Sequence, residues 1–231
     1  MTSTLTRQSP IHHLLEPLGG EWTDIAGTSI ALRCEAAEAE AKAVQTLALC
    51  DVSALPTLGV KGPAAADWLS AHGVAIPDET YDTQKLADGG LVARVASDEF
   101  LLQSGAECKT VPSLSDKLGS GQEGAILVER QEATLLLVGA RAHEVFLQTC
   151  GVDLREVRPG RLTMTRVAGA SCGILRFDRE DMRRYPLWPH YQLWIDPTYA
   201  VYVWETLLEI VEQLEGHVVG AAAVLDGLTT A

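Results

Sequence analysis

Residues 58–69 read Leu58-Gly-Val-Lys-Gly-Pro-Ala-Ala-Ala-Asp-Trp-Leu69. An apolar lead runs into a glycine turn, and a proline then opens a run of helix formers. Proline at the first helical position gives up an N–H that would have had no intrahelical partner. The stretch therefore predicts a short strand, a glycine turn and a helix. The plan returns at Leu135-Leu-Leu-Val-Gly-Ala-Arg-Ala-His-Glu-Val-Phe-Leu147. With Gly62 laid on Gly139, Ala65 falls on Ala142, Asp67 on Glu144 and Leu69 on Phe146, and the units close on Gly73-Val74 and Gly151-Val152. Two copies are too few for a repeat array, which needs at least about three. The duplication predicts two related subdomains.

Outward from these units, Glu35 to Leu49 is rich in helix formers with acids at its start, where the helix dipole favours them, and predicts a helix. Gly90–Val95, Glu99–Gln103 and Ala125–Glu129 predict strands between the units, with Gly89-Gly90 as a hairpin turn and 117–124 as a loop. Thr163–Val167, Cys172–Phe177 and Tyr191–Ile195 predict three more strands. A helix is expected from Thr198 to Leu214, with Asp196 as N-cap, Pro197 at the first helical position, and Glu205, Glu209 and Glu212 on one solvated face. Short strands joined by loops too short for parallel crossovers predict an α+β fold with mostly antiparallel sheets flanked by helices.

Composition limits the partners. Lys plus Arg total 18 against 31 Asp plus Glu, a formal net charge of −13, which opposes binding to a phosphate backbone or an acidic membrane face. Hydrophobic residues make up 47%, enough to build a core. The five cysteines, Cys34, Cys50, Cys108, Cys150 and Cys172, stand singly, which excludes paired-cysteine metal motifs and predicts reduced thiols. No stretch approaches the ~20 apolar residues of a membrane span, and the first ten residues lack the apolar core of a secretory signal, so a cytoplasmic chain is expected.

Chemical motifs are sparse. Neither nucleotide-binding glycine loop is present, and HExxH and Gly-x-Ser-x-Gly are absent. No metal site is expected. Cys172, in Ala170-Ser-Cys-Gly173, reads as a small buried hydrophobe. The stretch from Arg176 to Trp194 concentrates arginines and aromatics in a chain that is only 6% aromatic. That mixture suits a ligand pocket or a protein interface. The competing reading packs the aromatics inside and pairs Arg179, Arg183 and Arg184 with Asp178, Glu180 and Asp181 on a solvated loop.

Several short motifs appear in a familiar order: Ser9-Pro-Ile-His-His13, Gly19-Gly-Glu-Trp22, Glu35, Ala48-Leu-Cys-Asp-Val-Ser53, Val60-Lys-Gly-Pro63 through Leu69, and Asp88-Gly-Gly-Leu91. Later come His190-Tyr-Gln-Leu-Trp-Ile-Asp-Pro197 with Tyr199, Trp204 and Leu207-Leu208, and finally Gly216-His-Val-Val-Gly-Ala221. Together they resemble the glycine-cleavage T-protein (aminomethyltransferase) superfamily over nearly the whole chain. Without that family's C-terminal barrel, the chain is similar to the gamma subunit of heterotetrameric sarcosine oxidase, as are Cys150-Gly-Val-Asp-Leu154, Pro159-Gly-Arg161 and Thr165-Arg-Val-Ala168.

The resemblance implies two interleaved subdomains, residues 1–55 with 140–231 and an insert of 56–139. It implies tetrahydrofolate as the cofactor, with Tyr81, Arg94, Tyr191, Gln192 and Trp194 near its pterin. Departures from the family bear on mechanism. Where aminomethyltransferases carry an Asp-Asp pair after the Gly-Gly, the aligned residues here are Val92 and Ala93, which hold no proton. The family's glutamate in Gly-Tyr-Glu-Leu becomes Gln192, and an Asn-containing segment is replaced by Gln84-Lys-Leu-Ala87. The expected function is a non-catalytic, folate-binding T-protein-like module or subunit in one-carbon metabolism. One alternative is an abbreviated aminomethyltransferase taking its carboxylate from elsewhere, such as Asp98. The other is a ligand-free scaffold on which residues 176–194 dock a flavoprotein or a second copy of the chain.

Overall fold

The computed structural model describes residues 7–119, 123–177 and 190–225. In chain order it contains β1 (Arg7–Gln8), α1 (His12–Leu15), β2 (Glu21–Ile25), β3 (Thr28–Arg33), α2 (Ala37–Thr46) and β4 (Ala48–Asp51). Next come β5 (Thr57–Lys61), α3 (Ala65–Ala71), β6 (Thr83–Lys85), β7 (Leu91–Ala96), β8 (Glu99–Gln103), α4 (Thr110–Ser115) and β9 (Ile126–Arg130). The remainder is β10 (Ala133–Val138), α5 (Ala142–Thr149), β11 (Leu162–Val167), β12 (Ala170–Phe177), β13 (His190–Ile195), α6 (Ala200–Gln213) and β14 (His217–Val218). The fold is α+β, with mostly antiparallel sheets and flanking helices. No described helix is long and apolar enough to cross a membrane.

Two compact units divide the chain: Met1–Ala54 with Glu132–Pro159 and Met164–Ala231, and Leu55–Gln131 with Gly160–Thr163. The second edge of the insert lies one strand earlier than the sequence suggests. β10 pairs antiparallel with β4 and β13, so its hydrogen bonds place it in the first unit.

The first unit holds a six-stranded sheet in the order β11-β12-β13-β10-β4-β14 and a smaller sheet β1-β3-β2. On one face of the larger sheet, Leu49, Leu135, Leu137, Ile174, Tyr191, Leu193 and Ile195 pack with Val145 and Phe146 of α5 and Val203, Trp204 and Leu207 of α6. Each such side chain contributes about 1.5–3 kcal/mol by leaving water. The helix expected over 35–49 ends early, because Leu47 is extended and Ala48–Asp51 becomes β4. All four β4 residues are buried, and ladder pairing with β10 outweighs the helix propensity of Ala and Leu. The β2–β3 and β11–β12 hairpins turn at Ala26-Gly27 (φ 50 and 81°) and Ala168-Gly169 (φ 50 and 82°), the left-handed pair of a two-residue hairpin. Asp196 caps as expected, accepting from Thr198 N–H at 2.9 Å, and α6 follows a single 3₁₀ turn. It ends with Glu215 left-handed at φ 58° and Gly216 N–H donating to the Val211 carbonyl at 2.8 Å.

The second unit is a five-stranded antiparallel sheet in the order β6-β7-β8-β5-β9. Leu58, Val60, Val92, Phe100 and Leu102 on one face pack with Trp68 and Leu69 of α3 and Val111 and Leu114 of α4. Asp88, in the β6–β7 hairpin, accepts from Lys109 N–H at 2.9 Å and from Thr110 N–H at 2.8 Å, closing the start of α4.

The repeated glycines do the same work in both units. Gly62 has φ 119° and Gly139 has φ 112°; an added Cβ would lie 2.4 Å from the Gly124 carbonyl oxygen in one and 2.5 Å from that of Thr46 in the other. Those carbonyls then accept from Ala64 N–H and Arg141 N–H, both at 2.9 Å, as the helices begin. A side-chain-free residue with positive φ is what lets each strand turn into its helix against a neighbouring backbone.

Candidate functional site

Pairing register divides the residues of the larger sheet between its two faces. Tyr191 stands opposite Leu137 and Arg176, on the helix-packed side, and its ring meets Phe146 edge-on with centroids 5.0 Å apart. Gln192 stands opposite Leu136 and Leu175, and Trp194 opposite Thr134 and Gly173, on the other side. Cys50 joins that side opposite Leu136, and His190 joins it opposite Val138 and Phe177. This second face is buried and mixed: beside Leu136, Val138, Leu175 and Phe177 stand Thr134, His190, Gln192 and Trp194, each of these four no more than 6% exposed. It presents a hydroxyl, an imidazole, an amide and an indole, with no carboxylate among the residues named. The amide of Gln192 both donates and accepts, but it carries no charge and moves no proton. The structure thus places Gln192 and Trp194 on one surface and Tyr191 on the opposite, helix-packed one.

Tyr81 and Arg94 belong to the second unit and are backbone neighbours, Tyr81 N–H donating to the Arg94 carbonyl at 2.6 Å. Tyr81 is left-handed at φ 74° and its side chain is partly exposed. For a bulky residue that is backbone strain, maintained here by a second bond from Leu162 N–H to the Tyr81 carbonyl at 2.7 Å. Arg94 holds loops. Its Nη1 donates to the carbonyls of Pro77 at 3.3 Å and Asp78 at 2.9 Å, its Nη2 donates to that of Ser97 at 2.6 Å, and its guanidinium lies 5.6 Å from the Phe100 ring centroid. The Nε of Arg94 is buried without a hydrogen-bond partner among the described residues.

The positions expected to carry carboxylates diverge. Val92 is fully buried in the helix-packed core, while Ala93 stands opposite Thr83 and Leu101 on the far face of the sheet, in the row continued by Gly59 and Val128. Asp98 is exposed in the β7–β8 turn. At ~3.3 Å per residue it is on the order of 10 Å or more from position 93, too far to act in its place.

Two buried carboxylates the sequence did not single out gather its short motifs. Asp51 accepts from the Ser9 hydroxyl, from Ser53 N–H at 2.9 Å and from the Ser53 hydroxyl at 2.6 Å, while the Ser53 oxygen accepts from Thr134 N–H at 2.9 Å. Burial pushes the Asp51 carboxyl up, against the hydrogen bonds from Ser53 and Ser9 that hold it down. Beside this cluster the His12 ring lies against that of Trp22, tilted by 51° with centroids 4.3 Å apart. Glu40, 1% exposed, accepts at Oε1 from Cys34 N–H at 2.7 Å, Glu35 N–H at 3.2 Å and Gly220 N–H at 2.8 Å. The motifs beginning at Ser9, Glu35, Ala48 and Gly216 thereby meet through two side chains. Both clusters tie backbone together, with every named donor already used in the ties. Only the spacing of the motifs hinted at them.

Of the arginine-aromatic stretch, Arg176 donates from Nη1 to the carbonyls of Leu154, Arg155 and Val157, another loop clamp. Arg179, Arg183 and Arg184, with their expected acidic partners, lie outside the described residues. Among the described residues no group of three or more His, Cys, Asp or Glu side chains is arranged to hold a metal ion.

No protein-family model matches the sequence. An aminomethyltransferase from Saccharopolyspora erythraea is 26% identical over 219 residues, covering 88% of this chain and 58% of the relative. Among solved structures, the glycine cleavage system aminomethyltransferase T from Bartonella henselae superposes with a TM-score of 0.71 at 17% identity, over 94% of this chain and 60% of that one. The heterotetrameric sarcosine oxidase from Corynebacterium sp. U-96, solved in complex with pyrrole 2-carboxylate, gives a TM-score of 0.63 at 19% identity, over 91% of this chain and 97% of the matched chain. The chain thus has a T-protein-like fold and spans about three-fifths of the aminomethyltransferases it matches.

Proposed function

We propose that this chain is a T-protein-like module that binds a folate-type ligand and acts with a protein partner in one-carbon metabolism, without itself supplying the acid–base group. The observation that carries this reading is the set of polar side chains around Gln192 on one sheet face, which includes no carboxylate among the residues named. A folate fits its chemistry. An amide places a donor beside an acceptor, the complement of the amide-like edge of a pterin, and the Thr134 hydroxyl and Trp194 indole share the face. In the second unit the expected carboxylate positions are Val92, sealed in the core, and Ala93. The match to 97% of one chain of a sarcosine oxidase described as heterotetrameric supports a protein partner. By the same resemblance the partner is a flavoprotein subunit that carries the redox chemistry.

Calorimetric titration with tetrahydrofolate, paired with the thermal midpoint, tests the reading. A ligand that binds only the native state raises the midpoint as its concentration passes Kd. Saturable binding is expected, weakened about 5- to 100-fold in Gln192→Ala, the equivalent of losing one or two hydrogen bonds. No binding at millimolar ligand would leave the scaffold reading in its place. Tetrahydrofolate-dependent release of a one-carbon unit by the isolated chain would establish the abbreviated enzyme instead.

A further inference from the structure

We propose that Arg166 takes the carboxylate end of the folate-type ligand, an inference that rests on the folate reading above. Alternation along the strands decides which side chains share the face of Gln192 and Trp194. Val167, Ala170, Cys172 and Ile174 belong to the helix-packed core, so Met164 and Arg166 of β11 and Ser171 of β12 stand on the opposite face, the one that carries Gln192 and Trp194. The two-residue turn at Ala168-Gly169 sets Val167 opposite Ala170, hence Arg166 opposite Ser171 and Met164 opposite Gly173, which in turn faces Trp194. Burial changes across these strands. Gln192 and Trp194 are buried, whereas Met164 is 58% exposed and Arg166 and Ser171 are exposed too.

Charge singles out the arginine. Among the described residues, Arg166 is the one lysine or arginine that β4, β10, β11, β12 and β13 place on this face; Arg176 stands opposite Tyr191 on the other. It has no hydrogen bond or ion pair among the described residues, so its guanidinium is available. On a chain of net charge −13, an anionic ligand is held off except where such a cation stands. Asp196, which follows β13 into the same row, is committed to capping, accepting from Thr198 N–H at 2.9 Å and from its hydroxyl at 2.6 Å. It lies two strands away, ~10 Å, about one screening length. With strands ~4.8 Å apart and ~3.3 Å per residue, the Arg166 backbone is about 12 Å from that of Trp194 and about 16 Å from that of Gln192. A folate held at Gln192 by its pterin carries its glutamate carboxylates at the far end of an aminobenzoyl spacer. The spacer then crosses β12, with Met164 as an apolar side chain to lie against, and the tail meets a guanidinium that can bind a carboxylate through two parallel N–H donors.

Calorimetric titrations of the full chain with tetrahydrofolate and with 6-methyltetrahydropterin, which has the reduced ring but no acidic tail, test this in the parent and in Arg166→Gln. The variant is expected to bind tetrahydrofolate about tenfold more weakly, to bind 6-methyltetrahydropterin as the parent does, and to show a shallower salt dependence for tetrahydrofolate. Gln192→Ala, in contrast, weakens both ligands. Tetrahydrofolate affinity unchanged in Arg166→Gln, or both ligands weakened alike, would overturn the proposal and leave the folate reading intact. If the ring compound binds too weakly to titrate, the salt dependence decides, and equal slopes in parent and variant overturn the assignment. Failure of the parent to bind tetrahydrofolate at all removes the folate reading itself, and the role of Arg166 with it.

Discussion

Asp88 opens the Asp-Gly-Gly motif named in the family resemblance, and its physical task is to hold α4. One carboxylate receives Lys109 N–H, Thr110 N–H, the Thr110 hydroxyl at 2.9 Å and the Cys108 thiol at 3.2 Å. Burial pushes this carboxyl up, but the two backbone donors, with Cys108 and Thr110, more than offset it and hold the group at about 2 against an ordinary 3.8. At 1.36 kcal/mol per tenfold in proton affinity, that difference corresponds to at most about 2.4 kcal/mol. Solvent reaches the side chain, so screening reduces the expected contribution to about 1–2 kcal/mol. The folded value is depressed, so the stabilisation is fully present above 3.8 and disappears as pH falls towards 2. Asp88→Asn, measured by urea denaturation, is expected to lose about 1–2 kcal/mol at pH 7, the same at pH 5, and progressively less between pH 4 and pH 3. A loss unchanged at pH 3 would show that geometry and not charge holds α4, and no loss at pH 7 would refute the capping role itself.

Gly62→Ala and Gly139→Ala should each cost about 2 kcal/mol or more in thermal or urea unfolding, because each adds a Cβ within 2.5 Å of a carbonyl oxygen at positive φ. A mild effect at either would break the equivalence of the two turns. Ala26→Asn, Ala168→Asn and Glu215→Gly should each raise stability by about 0.5–1 kcal/mol, since all three positions are left-handed and the new residues tolerate that region better. Burial first, and then neighbouring acids, push the Cys34 thiol up to about 12, and burial pushes Cys172 to about 12 as well. Roughly one thiol in ten thousand is then ionised at pH 8, so peptide mapping after iodoacetamide should find both unlabelled in the native protein and labelled in urea.

The strand-glycine-helix duplication was legible because only glycine fits positive φ against a carbonyl, and that requirement is written in one letter at each copy. The β2–β3 hairpin escaped notice for the opposite reason: alanine occupies the left-handed position where asparagine would have marked the turn. His190–Ile195 reads plainly as a strand, yet which of Tyr191 and Gln192 faces the helices could not be read, because all six positions are buried and alternation disappears. Likewise the sequence shows that Arg94 and Arg176 are cations but not that loop carbonyls curl around them; that arrangement belongs to chain segments such as 77–78 and 154–157, far from either arginine in sequence.

The absence of catalysis proposed for this chain rests on more than a missing side chain, and Ala93→Asp shows why. A carboxylate there would be buried beside Leu101 and Thr83, whose hydroxyl is already committed to the Gly160 carbonyl at 2.6 Å. With no donor to spare opposite it, the new group would remain protonated near neutral pH, as buried unpaired acids do. Its folded-state pKa would be raised, so the variant should approach wild-type stability at pH 4 and lose about 1–3 kcal/mol relative to it by pH 8, without gaining tetrahydrofolate-dependent turnover. A variant as stable as the parent at pH 8 would mean that water or an unused donor reaches position 93, and the enzyme reading would then regain its footing.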